Sequence, residues 1–166
     1  MIYHNNSEIV NRRWLFLGCS SLTSINIPTS ISKIGADCFY ECSLLPFINI
    51  PTSIGEFKIN CFAWCYLLTS IDIPTTISKI GRSCFRECIS LKSINIPSTA
   101  IEIEECCFYG CSSLTSINIP SSIIKLKDEC FSGCKSLKSI IIPSSIRIMG
   151  NDCFKECYSL ISINKF

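Results

Sequence analysis

The stretch Cys38-Phe39-Tyr40-Glu41-Cys42 decides the fold, because versions of it return at a constant interval along the chain. The other copies of this Cys-Phe-x-x-Cys motif begin at Cys61, Cys84, Cys107, Cys130 and Cys153. Each copy follows the one before it by 23 residues, and no insertion or deletion breaks the register. A constant period of about 20 to 50 residues is the signature of a solenoid or a repeat array. Function is therefore expected on a repeated surface and not in a single pocket.

Each repeat opens with a segment that has the pattern of a strand, such as Leu22-Thr23-Ser24-Ile25-Asn26-Ile27-Pro28. Polar and apolar residues alternate there, which is typical of a half-buried strand. Proline lacks an N–H group and belongs at the end of a strand. The prolines in question are Pro28, Pro51, Pro74, Pro97, Pro120 and Pro143. A second short extended piece, Ser30 to Gly35, follows. Strands stacked about 4.8 Å apart would form one parallel sheet along the solenoid.

The Cys-Phe stretch itself has the spacing of a short helix. Ile34, Cys38, Phe39 and Cys42 fall at i, i+4, i+5 and i+8, so they share one helical face. The residue before the first cysteine is polar in Asp37, Asn60, Ser83, Glu129 and Asp152. Asp, Asn and Ser are good N-cap residues because their side chains accept from the free N–H groups of a helix start. We therefore expect one to two helical turns in every repeat.

The repeat resembles the leucine-rich repeat of the BspA-like family. The matching positions are Leu22, Ile25, Ile27, Pro28, Ile31, Ile34, Gly35, Phe39 and Cys42. Two features depart from the family pattern: Cys38 and its copies replace the usual alanine, and the glycine position holds Lys58, Glu104 and Lys127. The resemblance implies an α/β repeat solenoid, right-handed, with one parallel sheet of short strands and short helical turns on the opposite side. BspA-like proteins are often described as surface adhesins of bacteria and parasitic protists that bind host proteins.

The period divides the chain into two parts. Residues 1–18 form an irregular entry with a degraded capping repeat, in which Leu15 stands where a cysteine is expected. Residues 19–166 form the solenoid, with six full repeats and a terminal strand that begins near Leu160. An uncapped last strand makes end-to-end self-association an open alternative.

Composition excludes several classes of protein. Of the 166 residues, 48% are hydrophobic and 17% are charged, so a disordered chain is excluded. The net charge of +2 is too small to indicate a nucleic-acid partner. No apolar run reaches the roughly 20 residues of a transmembrane helix, and Trp14 to Leu17 is too short for a signal-peptide core. The chain is thus expected in the cytoplasm, or at the cell surface by a non-classical route.

The fourteen cysteines allow three interpretations. The favoured one is two buried columns of free thiols, since free cysteine is among the most buried residue types. A disulfide ladder between neighbouring copies and a metal site are the alternatives. The metal site is the weakest, because the spacing is Cys-x₃-Cys and His4 is the single histidine. Cys106 lies outside both columns and is predicted to be the most accessible thiol.

The outward positions of the strands form the candidate binding face. Its residues are Ser24, Asn26, Phe47, Asn49, Ser70, Asp72, Ser93, Asn95, Ser116, Asn118, Ser139 and Ile141. This face is polar and nearly uncharged, and Phe47 and Ile141 are its apolar contact points. A further column reads Lys33, Glu56, Lys79, Glu102 and Lys125, so opposite charges would meet in neighbouring repeats.

The sequence shows no enzyme signature and implies no cofactor. The repeated serines have no histidine partner to activate them, and no glycine-rich phosphate loop is present. We expect a non-enzymatic protein-binding module, with a surface adhesin as one form of it. The alternatives are an intracellular scaffold or array element with buried thiols, and a redox or metal-storage protein with accessible thiols.

Overall fold

A computed structural model describes residues 15–165, which form a coil of short parallel strands joined by tight turns. Residues 1–14 lie outside the described part; they include His4 and most of the predicted entry. The strands are β1 (Glu56–Phe57), β2 (Lys79–Ile80), β3 (Ser93–Asn95), β4 (Glu102–Ile103), β5 (Ser116–Asn118), β6 (Lys125–Leu126), β7 (Ser139–Ile142), β8 (Ile148–Met149) and β9 (Ser162–Lys165).

The predicted strand segments pair in parallel, one repeat apart. A four-stranded sheet runs in the order β3-β5-β7-β9, with Ser93 opposite Ser116 and Ser139 opposite Ser162. In the earlier repeats the same positions form isolated parallel bridges that join Asn26 to Asn49 and Asn49 to Asp72. Because side chains alternate across a strand, this register keeps the isoleucines inside and the Ser and Asn side chains outside.

The expectation of one sheet is wrong, because the second extended piece also pairs in the repeats from Glu56 onwards. β1, β2 and β4 form a three-stranded sheet, and β6 pairs with β8. The proline that ends the first strand turns the chain towards this second ladder. The Pro28 carbonyl accepts from the Ile31 amide at 3.0 Å, and the later prolines repeat this bond. Hydroxyl groups bind neighbouring turns together: Thr76 Oγ1 donates to the Ile54 carbonyl at 2.7 Å.

The predicted helical turns are also wrong: residues 15–165 contain no helix. In the Cys-Phe stretch, every second backbone amide donates its hydrogen bond to a carbonyl of the next repeat. The Asp37, Phe39 and Glu41 amides reach carbonyls of the following repeat at 2.9 to 3.0 Å. The Tyr40 and Cys42 amides close short turns instead and donate to the Asp37 and Phe39 carbonyls at 3.3 and 3.1 Å. A helix would keep all of these bonds within one repeat.

Positive φ angles are the reason that no helix forms. The residue before each cysteine of the motif lies in the left-handed region, at φ 56° for Asp37 and φ 58° for Glu41. The same holds for Asn60, Trp64, Ser83, Glu87, Cys106, Gly110, Glu129, Gly133, Asp152 and Glu156. The polar residues before the first cysteine are therefore not N-caps. Asn and Asp tolerate this conformation better than other L-residues, and Asn60 Nδ2 also donates to Asp37 Oδ1 at 2.9 Å.

A stack of phenylalanine rings runs through the core. Neighbouring ring centroids lie 5.3 to 5.7 Å apart and the ring planes are nearly parallel. The stack comprises Phe16, Phe39, Phe62, Phe85, Phe108, Phe131 and Phe154. Buried leucines and isoleucines of both ladders surround these rings. Because buried side chains occupy the inside of the coil in residues 15–165, the surfaces of the solenoid are the places to look for function.

Candidate binding face

The structure places all twelve residues of the candidate binding face at exposed positions. They lie on one side of the coil because each strand turns its alternate residues outward, as in β3, where Ser93 and Asn95 flank the buried Ile94. The face therefore consists of two parallel rows of side chains with one member of each row per repeat. Most members are hydroxyl or amide groups, which offer hydrogen bonds but little charge.

Two apolar residues interrupt this polar face. Phe47 is 54% exposed and Ile141 is 48% exposed, whereas the other ten residues of the face are polar. Phe47 occupies the row that otherwise holds serine, and Ile141 the row that otherwise holds Asn or Asp. Ile141 is paired in register with Asn118 and Asn164, so nothing in the ladder requires an isoleucine there.

The two cysteine columns, which begin at Cys38 and at Cys19 and recur every 23 residues, are buried except for the half-buried Cys19 and Cys157, and every cysteine is a free thiol. From Cys42 onwards, each thiol of the second column donates to the carbonyl of a phenylalanine in the preceding repeat, as from Cys65 Sγ to Phe39 at 3.1 Å. The same bond recurs from Cys88, Cys111, Cys134 and Cys157. The thiols thus serve as core side chains that also satisfy buried carbonyl groups.

Burial makes these thiols hard to ionise. It raises the pKa of Cys38 and of Cys42 to about 12, and it raises the pKa of Cys84 and of Cys107 well above the ordinary value. The thiolate is the nucleophile and the metal ligand. Among the described residues, no cluster of His, Cys, Asp or Glu is arranged to hold a metal ion.

Cys106 is half-buried, as are Cys19 and Cys157, while the other eleven cysteines are buried. Burial and the nearby Glu129 carboxylate both raise the pKa of Cys106. Its backbone has φ 53°, so it occupies one of the left-handed positions. That Cys106 is the most accessible thiol stays a prediction.

Charged residues on the flank form a network that the sequence predicts only in part. Lys79 lies opposite Glu56 and Glu102, as expected, and its ammonium is 2.8 Å from Glu102. Lys79 also lies 2.7 Å from Glu104. Glu56 pairs with Lys58 at 2.5 Å, and Glu102 pairs with Lys127 at 3.0 Å, not with the predicted Lys125.

The unexpected members of this network have a signal in the sequence. Lys58, Glu104 and Lys127 are the three residues that replace the repeated glycine. The repeats in which a charged residue replaces this glycine are therefore the ones that contribute to the charged cluster. The hydrogen bonds from Lys79 and then Lys127 lower the pKa of Glu102 to about 2.

Aromatic residues line the turns on the side away from the strands. The Tyr40 and Trp64 rings lie 5.2 Å apart, and the Arg86 guanidinium lies 4.0 Å from the Tyr109 ring centroid. A guanidinium over an aromatic face is a cation–π contact. The alternation of polar and apolar residues along the sequence does not predict these pairs, because they form between residues about one repeat apart.

Comparison with solved structures gives the same architecture in three bacterial proteins. A leucine-rich-repeat protein from Bacteroides ovatus has 34% sequence identity and a TM-score of 0.87, over 98% of this chain and 43% of that one. The T. pallidum leucine-rich-repeat protein has 30% identity and a TM-score of 0.82, over 88% of this chain and 68% of that one. A leucine-rich cell surface protein from Faecalibacterium prausnitzii has 29% identity and a TM-score of 0.73, over 87% and 48% of the two chains.

The chain therefore spans less than half the length of the first and third of these proteins. No curated protein matches it. Residues 15–165 contain no helix that is long and apolar enough to cross a bilayer. The model of the BspA-type leucine-rich-repeat region matches residues 3–98 and 55–165, with six copies. This chain belongs to the BspA-type leucine-rich-repeat family.

Proposed function

We propose that this chain is a non-enzymatic protein-binding module that presents its strand face to a partner. The observation that carries the proposal is the exposure of all twelve residues of that face on a ladder of parallel strand pairs and bridges. Solenoids use such extended surfaces to bind other proteins. Phe47 and Ile141 supply apolar contacts, and the Ser and Asn rows supply hydrogen bonds around them. The rows carry too little charge to favour a nucleic acid.

Photo-crosslinking from two positions of one repeat tests this role. A photoreactive residue at Asn95 lies on the strand face, and one at Ser98 lies just beyond Pro97 and off that face; both positions are exposed. Irradiation in the presence of cells of the source organism should give a specific protein adduct from position 95 and not from position 98. Excess unlabelled chain should compete for the adduct, and the triple variant N49K/N95K/N118K should not. Equal adducts from both positions, or no competition, would refute the role of the strand face.

A location at the cell surface is part of the same proposal. It is supported by the Faecalibacterium prausnitzii neighbour, which is described as a cell surface protein. Labelling intact cells with a membrane-impermeant amine reagent should modify the chain if it is displayed outside. Labelling only after lysis would favour the second candidate, an intracellular scaffold.

The scaffold candidate rests on the fourteen free cysteines. Free thiols in such number fit a reducing compartment. A thiol count without reductant checks this: few thiols should react in the native protein, and about fourteen after denaturation. A low count after denaturation would mean that disulfides have formed, and fast reaction of many native thiols would favour the redox alternative.

End-to-end association of chains remains a proposal of its own, supported by exposed apolar residues in the last repeat, such as Ile148 and Met149. Sedimentation at increasing concentration tests it. Ile148→Ser and Met149→Ser should keep the chain monomeric if this end forms the contact, and an unchanged monomer for the wild type would exclude it.

A further inference from the structure

The second ladder of the coil, formed by β1-β2-β4 and by β6-β8, is interrupted between β4 and β6. Before the interruption, the two backbone amides that flank β4 donate to the preceding repeat. Ile101 donates to the Ser78 carbonyl at 2.9 Å, and Glu104 donates to the Ile80 carbonyl at 3.0 Å. After the interruption, the two amides that flank β8 donate in the same way to the repeat of β6. The ladder is therefore fully bonded on both sides of one open junction, which we call the gap.

The gap is confined to one side of the coil. The corresponding amides there, those of Ile124 and Lys127, donate no hydrogen bond to the repeat of β4 within residues 15–165. On the strand side, β3 and β5 pair in register at three consecutive positions. On the side of the turns, the Phe108 amide donates to the Cys130 carbonyl at 2.9 Å. Backbone hydrogen bonds thus join these two repeats on two sides of the coil and leave the third side open.

Ion pairs cross the gap in place of the backbone bonds. The Lys127 ammonium lies 3.0 Å from Glu102 and 2.5 Å from Glu104, and both carboxylates belong to the preceding repeat. Lys79 binds the same two carboxylates from the other side, at 2.8 and 2.7 Å, but its own strand β2 is also paired with β4. Apart from a hydroxyl bond in the turn before β6, the ion pairs of Lys127 are the polar links that the described residues form across the gap.

A second interruption, between residues 32–34 and β1, offers a comparison within the same chain. The Gly55 and Lys58 amides donate no hydrogen bond to the preceding repeat in the described part of the chain. Lys58 pairs with Glu56 of its own repeat, so its ion pair does not cross the interruption. Both interruptions occur where a lysine replaces the repeated glycine. Glu104 also replaces this glycine and keeps its backbone bond, so the loss of glycine does not by itself break the ladder.

We propose that the coil opens at the gap, with the paired strands β3 and β5 as the hinge and the ion pairs of Lys127 as the contacts that hold it closed. These ion pairs are partly solvated, so salt weakens them, while the backbone bonds on the other two sides remain. Opening tilts the repeats of β6 and β8 against the repeats before them, which is a hinge motion. Because β3 and β5 lie on the strand face, the tilt changes the curvature of that face. The inference goes beyond the protein-binding role and does not depend on it.

Distances between pairs of spin labels test the hinge. Spin-labelled non-natural amino acids, which leave the native thiols unmodified, replace Ser78 and Arg147, two exposed residues at one repeat position on opposite sides of the gap. A second pair at Ser70 and Ser139 spans the same repeats on the strand face, where both residues are exposed. In Lys127→Gln, and in the wild type at about 1 M salt, the first distance should lengthen by about 3 Å, the width of one water layer. The second distance should stay constant.

The chain supplies a matched control in Lys79→Gln. This variant removes one ammonium from the same two carboxylates, but at a junction that keeps its backbone bonds, so both label distances should equal those of the wild type. Amide hydrogen exchange measured by NMR tests the gap itself. After correction for intrinsic rates, the Ile124 and Lys127 amides should exchange at least roughly tenfold faster than the Ile101 and Glu104 amides. Circular dichroism verifies that every variant folds.

Each contrary result has a definite meaning. An unchanged flank distance in Lys127→Gln and at high salt would overturn the hinge. Equal lengthening in Lys79→Gln would assign the effect to the whole charged cluster and not to the gap, and equal lengthening of both label pairs would mean a general loosening of the coil; either result overturns the inference. Slow exchange of the Ile124 and Lys127 amides would show that the ladder is closed there. None of these outcomes affects the crosslinking experiment, which decides the protein-binding role separately.

Discussion

The Lys127 ammonium lies 2.5 Å from Glu104, and both residues stand where Gly35, Gly81 and Gly150 stand in other repeats. The glycines have a steric reason: a Cβ atom at Gly81 would lie 2.6 Å from the carbonyl carbon of Lys58. In the repeats that depart from glycine, the side chains turn to the flank and join Lys79 and Glu102. At this repeat position, some repeats thus hold a glycine that close packing requires, and others hold a charged residue that forms ion pairs.

A double-mutant cycle on this pair should give a modest coupling. Glu104→Gln, Lys127→Gln and their combination should yield a coupling free energy of about 0.2–1 kcal/mol, because both groups are partly solvated. Chemical unfolding at low and high salt measures it, and salt should reduce the coupling. The exposed Lys58–Glu56 pair provides the control, with a smaller value expected. A coupling near zero at low salt would mean that the cluster does not stabilise the fold.

Acid should remove the contribution of Glu102. The folded-state pKa of Glu102 is depressed to about 2 by its hydrogen bonds with Lys79 and Lys127. A depressed carboxyl pKa stabilises the fold above the pKa of the unfolded state, and this contribution disappears as the pH falls through the folded pKa. The free energy of unfolding should therefore decline between about pH 4.3 and pH 2, and less in Glu102→Gln. An identical decline in both proteins would refute this assignment.

Alkali should unfold the protein steeply. Burial raises the pKa of the core thiols, so the folded state retains protons that the unfolded state releases above about pH 8.5 to 9. Stability is then complete below the unfolded pKa and falls as the pH rises. Each buried thiol costs about 1.4 kcal/mol per pH unit in that range, and eleven are buried.

Unfolding curves from pH 8 to 10.5 measure this loss. Replacing Cys84 and Cys107 with alanine, the usual residue of the family at that position, should lower the number of protons released by about two. A free energy of unfolding that stays constant up to pH 10 would contradict the buried, reduced state of the thiols.

The position of a phenylalanine in the stack should decide its contribution to stability. Phe85 is fully buried and stacks on Phe62 and Phe108, both at 5.5 Å. Phe154 is only partly buried and stacks on Phe131 at 5.7 Å. Phe85→Ala should lower the free energy of unfolding by about 3–5 kcal/mol, and Phe154→Ala by clearly less. Equal losses in denaturant unfolding would argue against an effect of position.

The sequence predicts the repeat, the strand face and the burial of the cysteines, because each of these follows from a periodic pattern of polarity. It fails at the Cys-Phe stretch, where the spacing of Ile34, Cys38 and Cys42 suits a helix. Spacing records which side chains are buried together, and a left-handed turn at Asp37 and Glu41 buries the same residues. Glu and Trp are not typical of the left-handed region, so the residue types at Glu41 and Trp64 do not predict a left-handed turn there.

The exposed surfaces differ in how far the sequence alone predicts them. The strand face follows from alternation, and every one of its residues is exposed. The exposure of Leu44 and Leu67 does not follow, because they lie outside the strands and their exposure depends on the turn geometry. The partners of Lys127 required the structure, since the pairs cross from one repeat to another at non-equivalent positions.

The unbroken spacing of 23 residues also bears on how such a molecule can change in size. The backbone hydrogen bonds between repeats recur at equivalent positions, so a whole repeat can be duplicated or lost without shifting any column of the core. The length of the strand face can then evolve separately from its chemistry. A gain or loss of part of a repeat would instead misalign the phenylalanine stack, and selection would remove it.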